Sequence, residues 1–318
     1  MTFGMIDKLE ISSDWKAPVI GTDLKHGDMP GDKIEISEQH IVNANTIFPK
    51  LLELVKDIIE KSKKNKIVIS VCGGSGVGKS ETASLLSYYF RKIGIGSYTL
   101  SGDNYPHRIP AYNDAERLRV FRKNGLQYMI KHGVYTEERF RILQEWQKEG
   151  LDASEDYAEK FPWFQSYIEG GKEGLRNYLG TNREIDFREV SEIVTLFKTG
   201  VENIWLKRMG RTETELWYEK VDFRDINILI IEWTHGNSDY LEGVDIPVLL
   251  NSTPEETLEH RRLRNRDGKT DSPFTMRVLE IEQELLEHQA PKAKIILSKQ
   301  GKILEFREYQ ELMQSNKE

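Results

Sequence analysis

The stretch Lys66 to Ser80, KIVISVCGGSGVGKS, decides the fold. A short apolar run, Ile67 to Cys72, stops abruptly in glycines and then passes through Lys79 and Ser80 into a helical pattern. Gly73 and Gly78 bracket four residues ahead of Lys79, so a complete G-x-x-x-x-G-K-S spacing stands between a β-branched strand and a helix. The physics asks for small residues at this point. The backbone must curl around a phosphate with its N–H groups pointing inward, and Cβ atoms would obstruct that path. Gly73, Gly74, Ser75, Gly76, Val77 and Gly78 are read as the cradle, Lys79 as the cation that reaches the outer phosphates, and Ser80 as a hydroxyl ligand for Mg²⁺. The helix that starts there, with Glu81 in its first turn and counted with the nucleotide-contacting residues, turns its positive end to the same phosphates. The alternative, a glycine-rich turn that binds nothing, requires both the spacing and the flanking pattern to be accidental.

Bulk properties bound the rest. The 318 residues, 38% of them hydrophobic, suffice for a full core. A formal net charge of -7 argues against a surface that coats nucleic acid, although a local basic site for a phosphorylated ligand remains compatible with it. The single cysteine, Cys72, excludes an internal disulfide framework and a cysteine-based zinc cluster, and fits a reducing compartment. No run approaches the length of a membrane span and the first residues carry no leader pattern, so the expected location is cytoplasmic.

Outward from the cradle, residues 1–65 read as an N-terminal extension of unassigned role. It ends in an amphipathic helix from Phe48, with Pro49 in its first turn, whose apolar face packs beside the nucleotide fold or forms a homo-oligomer contact. After the phosphate-loop helix, Ser97 to Leu100 reads as a second parallel strand. Asp103 lies just past its carboxyl end, where ligands of doubly wound sheets bind, and is the candidate general base for a substrate hydroxyl. Tyr105, His107 and Arg108 follow closely enough to meet a polar or anionic substrate, Arg108 through its fork of donors. The segment from Asn113 to Lys131 reads as a helix interrupted near Gly125, and glycines 170, 171, 174 and 180 read as breaks after an aromatic-rich interval. Val201 to Leu206 and Thr214 to Tyr218 read as a small antiparallel pair joined across Arg208 to Thr212, with Arg208 and Arg211 as anion contacts or as an exposed basic tip. Ile226 to Ile231 is a buried strand ending at Glu232, a carboxylate placed to complete the Mg²⁺ shell with Ser80. From Thr253 a helix leads into a basic run read as a lid, in which Arg261, Arg264 and Arg266 are the candidate phosphate contacts.

Taken together, Gly73 to Ser80, Ser101–Gly102–Asp103–Asn104–Tyr105 with His107–Arg108, Ile230–Ile231–Glu232 and the Arg261 to Arg266 run resemble the phosphoribulokinase and uridine kinase family. The resemblance covers residues 66 to 300, discontinuously through the middle. It implies an α/β fold with a P-loop nucleoside-kinase-like core built on a parallel sheet, a helical insertion and a small antiparallel substrate-side region. It implies ATP and Mg²⁺ as cofactors and a small-molecule hydroxyl acceptor as partner, with no nucleic acid and no membrane. Asp103 then takes the base position, Glu232 that of the acidic residue near Mg²⁺, and Arg261 or Arg266 that of a lid contact. The expected division is 1–65 extension, 66–300 kinase domain with an insertion and substrate region at 131–220, and 301–318 tail. The chain departs from the family in a longer interval between Asp103 and Glu232, and in Trp205–Leu206–Lys207–Arg208 where a proline-tyrosine signature is usual. The acceptor therefore stays open between a polar or anionic metabolite, such as a sugar or sugar phosphate, and a nucleoside. A nucleotide-switch ATPase that controls a protein partner is the alternative from a different class.

Overall fold

The computed structural model describes residues 7–9, 15–32, 34–62, 64–259, 261 and 272–315. In chain order the main elements are α1 (Glu38–Ser62), β1 (Ile67–Gly73), α2 (Lys79–Lys92), β2 (Ser97–Ser101), α3 (Pro110–Lys131), α4 (Glu137–Glu149), α5 (Glu155–Lys160) and α6 (Pro162–Arg176). There follow α7 (Phe187–Lys198), β3 (Asn203–Met209), β4 (Leu216–Asp222), β5 (Ile228–Glu232), β6 (Ile246–Leu250), α8 (Pro273–Gln289), β7 (Ile295–Leu297), β8 (Ile303–Leu304) and α9 (Phe306–Ser315).

Two compact units emerge. The first gathers the described residues of Met1–Tyr105, Phe187–Ser252 and Leu286–Glu318, and the second those of Pro106–Asp186 and Thr253–Leu285. The first unit holds a six-stranded sheet in the order β2-β5-β1-β6-β7-β8, parallel except for β8 at the edge. Every residue of β1 and β5 is buried, which explains why both read as unbroken apolar runs rather than as alternating ones. Register brings their carboxyl ends level, with Glu232 of β5 opposite Val71 of β1 on one side and Ser101 of β2 on the other. The fold class expected from the sequence is the one observed.

On one face of this sheet α1 and α2 join β1, β5 and β6 in a single apolar core. Helix α1 starts at Glu38, ten residues before the expected position, so Pro49 lies inside it and not in its first turn. Proline removes one intrahelical hydrogen bond, yet the helix continues because Ile47, Phe48, Leu51, Leu52, Val55 and Ile59 are all buried in that core. The segment ahead of α1 packs on it too, through Trp15 against Phe48 and Tyr89, ring centroids 4.8 and 5.1 Å apart.

The second unit is helical, with α3 and α6 forming its closest pair. Gly125 does not interrupt α3, and Gly170, Gly171 and Gly174 do not break the chain but lie within α6. A Cβ on Gly125 would come within 2.6 Å of the Tyr167 ring, and one on Gly171 within 2.4 Å of Phe121. These glycines cost helix propensity, on the order of 1 kcal/mol each, and in exchange let two helices approach closely enough for the aromatic rings to interlock. From the aromatic-rich interval Phe164, Tyr167 and Tyr178 are buried in this core, beside Phe121 of α3. Among the described residues no helix is long and apolar enough to cross a membrane.

Candidate active site

The phosphate loop links β1 to α2 as its spacing requires. Gly78 caps α2 in the left-handed region, φ 88°, a conformation that a side chain would strain, and its carbonyl accepts the Thr82 amide at 3.0 Å. Lys79 Nζ lies over the loop and donates to the Gly74 carbonyl at 2.9 Å. Cys72, behind the loop, is fully buried, and burial pushes its thiol up to about 12, so it stays a neutral packing group.

Glu232 ends β5 beside this loop with 4% of its surface exposed. The Ser80 hydroxyl donates to its Oε2 at 3.1 Å. Burial and the nearby charge of Asp103 push the Glu232 carboxyl well above the ordinary carboxylate range, while hydrogen bonds from Ser101 and Ser80 and the charge of Lys79 pull it back. A buried carboxylate and a hydroxyl in contact at a helix start are hard oxygen donors of the kind that suits Mg²⁺. Among the described residues no group of three or more His, Cys, Asp or Glu could hold a metal.

Asp103 is exposed on a 3-10 turn, Gly102–Asn104, immediately beyond β2. Its amide donates to the Ser101 hydroxyl at 3.2 Å. Ser101 therefore links the turn that carries Asp103 to Glu232 on the neighbouring strand. Gly102 is required here by close approach, since a Cβ would fall 1.9 Å from Cγ of the buried Trp233. Asp103 and Glu232 influence each other electrostatically, and Ser80 touches Glu232, so the candidate base, the candidate metal carboxylate and the glycine-rich loop share one end of the sheet.

The other sequence-predicted residues divide. Tyr105 is fully buried, with Lys207 Nζ 5.2 Å from its ring centroid, so its ring supports the turn. Arg208 is not at a hairpin tip: β3 runs on to Met209, and the Arg208 side chain is 4% exposed. It pairs with Asp28 at 3.0 Å and Glu219 at 3.1 Å and donates to the Tyr98 hydroxyl at 3.0 Å. Its charge is compensated within the fold by Asp28 and Glu219. Arg211 is exposed in the β3–β4 turn, where its backbone N–H donates to Glu215 at 2.8 Å.

His107, Arg108 and Arg261 belong to the second unit. There His107 Nε2 lies 3.0 Å from the Asn182 carbonyl and Arg108 donates to the Tyr178 hydroxyl at 3.0 Å. The helix start at Thr253 forms a reciprocal cap, with the Thr253 amide on Glu256 Oε2 at 2.9 Å and the Glu256 amide on Thr253 Oγ1 at 3.3 Å. Arg261 is buried against that turn and donates to the Pro254 carbonyl at 2.6 Å. Arg264 and Arg266 lie outside the described residues.

In sequence Asp28 reads, with His26, Asp32 and His40, as scattered polar surface in preference to a metal site, and the fold instead buries it. Its side chain is 7% exposed and accepts from the Ser101 amide at 2.7 Å, the Tyr98 hydroxyl at 2.9 Å and Asn104 Nδ2 at 3.3 Å, besides its pair with Arg208. Burial pushes its carboxyl up to about 6, with Arg208, the Ser101 amide and the Tyr98 hydroxyl acting against the rise. No local pattern around residue 28 signals this, because its partners lie 70 to 180 residues away.

No protein-family model matches the chain. Over 256 residues, 80% of its length, the chain is 41% identical to a bifunctional alpha-galactosidase/sucrose kinase, AgaSK, from Mediterraneibacter gnavus. It spans 22% of the length of that curated relative. Among solved structures, a provisionally assigned fructose transport system kinase from Silicibacter sp. TM1040 aligns with a TM-score of 0.45 at 11% identity, over 79% of this chain and 94% of that one. A possible uridine kinase from Bacillus stearothermophilus aligns with a TM-score of 0.37 at 14% identity, over 78% and 98%. Both scores lie below 0.5, and nothing further follows from them.

Proposed function

We propose that the chain is an ATP- and Mg²⁺-dependent kinase that transfers the γ-phosphoryl group to a hydroxyl of a neutral sugar, with sucrose as the first acceptor to try. The observation that carries this reading is the line from Ser80 to Glu232 to Ser101 to the Asp103 turn, which puts a hydroxyl, a buried carboxylate and an exposed carboxylate at one end of the sheet. A nucleotide-hydrolysing switch has no use for a base aimed at a substrate hydroxyl. Of the two activities in the relative's name, a phosphate loop serves the kinase, whereas a glycosidase needs a pair of carboxylates flanking a sugar bond. The compensation of Arg208 by Asp28 and Glu219 favours an uncharged acceptor over a sugar phosphate.

In this reading Asp103 accepts the proton of the acceptor hydroxyl as its oxygen attacks the γ-phosphorus, and the bond from that phosphorus to the β–γ bridging oxygen breaks so that ADP leaves with the electron pair. Lys79 and the loop amides hold the phosphates and neutralise charge that builds on their oxygens. Ser80 and Glu232 would hold Mg²⁺, which would supply positive charge to offset that of the phosphates. Incubating the chain with ATP and a panel of sugars, sugar phosphates, polyols and nucleosides, and weighing the products, tests this assignment. A neutral sugar gaining one phosphate is the expected result; inorganic phosphate alone across the whole panel would overturn it.

A further inference from the structure

We infer that the segment ahead of α1 is part of the active site's frame, and that Asp28 is a positioning residue that fixes the Asp103 turn to the β3–β4 hairpin. The inference rests on the kinase reading for its kinetic consequence and on geometry alone for the joint itself. One carboxylate joins three stretches that are far apart in the chain. Oδ1 takes the Ser101 amide at 2.7 Å and Asn104 Nδ2 at 3.3 Å, which are the two ends of the turn that presents Asp103. Oδ2 takes the Tyr98 hydroxyl at 2.9 Å and the Arg208 guanidinium at 3.0 Å, one from β2 and one from β3.

The joint closes on itself. Arg208 also donates to the Tyr98 hydroxyl at 3.0 Å, and Asn104 Oδ1 accepts the Met209 amide at 3.0 Å. Neither the hairpin nor the turn can shift without breaking bonds that converge on Asp28. Arg208 and Asp28 are 4% and 7% exposed, so water cannot readily replace a lost partner. The adjoining residue adds a second contact with the same site: a Cβ on Gly27 would lie 3.5 Å from Thr99 Cγ2 and 3.9 Å from Glu232 Oε1. The backbone at residue 27 therefore runs directly beside the carboxylate that ends β5. The segment forms a wall at Glu232 and a brace under Asp103.

A base misplaced by an ångström loses much of its effect, so a brace one turn away acts on turnover without touching substrate. The test uses the full chain, with sucrose as acceptor probe and ATP as donor. Asp28→Asn keeps the shape of the side chain and removes its charge. Assayed well below its melting temperature, it should lower kcat by about tenfold or more while leaving the dissociation constant for Mg·ATP within about twofold. Because Asp28 acts through Asp103, adding Asp28→Asn to Asp103→Asn should slow the enzyme no further. Wild-type kcat in Asp28→Asn, or a double variant whose losses multiply, would overturn the proposal and reduce Asp28 to a stabilising residue. Amide exchange at Ser101 and Asp103 provides the readout that needs no activity. It should speed up in Asp28→Asn, and unchanged protection would overturn the joint. If the wild type phosphorylates nothing while exchange still responds, the kinase reading fails and the joint stands.

Discussion

Around Gly73 to Ser80 the loop is shaped by residues adjacent in sequence, whereas around the β3–β4 hairpin the chain relies on side chains from three distant stretches. The phosphate loop is held by β1 on one side and α2 on the other, both buried. The hairpin has one strand packed and one exposed: Leu206 and Arg208 of β3 are buried, while β4 is exposed along nearly its whole length. A site for an invariant phosphate can be written locally in glycine and lysine. The hairpin and the Asp103 turn are instead joined by side chains from distant stretches, and the joint passes through one buried carboxylate, Asp28.

Substitutions on the two sides should therefore fail in different ways. The largest effect is expected at Asp103→Asn, which removes the proposed base and should lower kcat by about 10²- to 10⁴-fold with nucleotide affinity retained, as read by initial rates and by a nucleotide titration. Asp28→Ala, by contrast, strands the buried Arg208 without its main partner. It should destabilise the chain by about 3–5 kcal/mol in urea unfolding, and a loss no larger than that of a surface variant would break the contrast. Gly102→Ala forces a methyl group into the Trp233 ring and should cost about 1–3 kcal/mol, with a shift in tryptophan emission.

A smaller effect distinguishes two carboxylates by pH. Asp28 has its carboxyl raised from an ordinary 3.8 to about 6, so the folded state binds more protons than the unfolded one across that interval. Its contribution is fully present below about 3.8 and is lost as pH rises through about 6. The stability of wild type relative to Asp28→Asn should accordingly decline across this window in denaturant titrations. Asp222 is shifted the other way, held at about 2 by Arg224 and by that residue's amide. Both partners of that pair are exposed, and Arg224→Ala should leave the melting temperature unchanged at neutral pH.

What was legible follows the same division. The spacing from Gly73 to Ser80, the buried run ending at Glu232 and the placement of Asp103 after a strand all rest on local patterns, and each falls at the expected end of the sheet. The arginines were harder to read because a charge in sequence carries no mark of its partner: Arg208 reads as an exposed contact until Asp28 and Glu219 are found beside it. The glycines of α3 and α6 read as breaks because propensity was the only signal, and tertiary packing against Tyr167, Tyr128 and Phe121 reverses its meaning. The early start of α1 was hidden by Pro49 for the same reason.

The most direct test of the phosphoryl-transfer account is a stoichiometry: ADP formed against sugar monophosphate formed, with ATP, Mg²⁺ and sucrose, in wild type and in Asp103→Asn. The account predicts equal amounts of the two products in the wild type, and loss of both in the variant while it still binds nucleotide. ADP accompanied only by inorganic phosphate, at a rate indifferent to the acceptor and to Asp103, would contradict it.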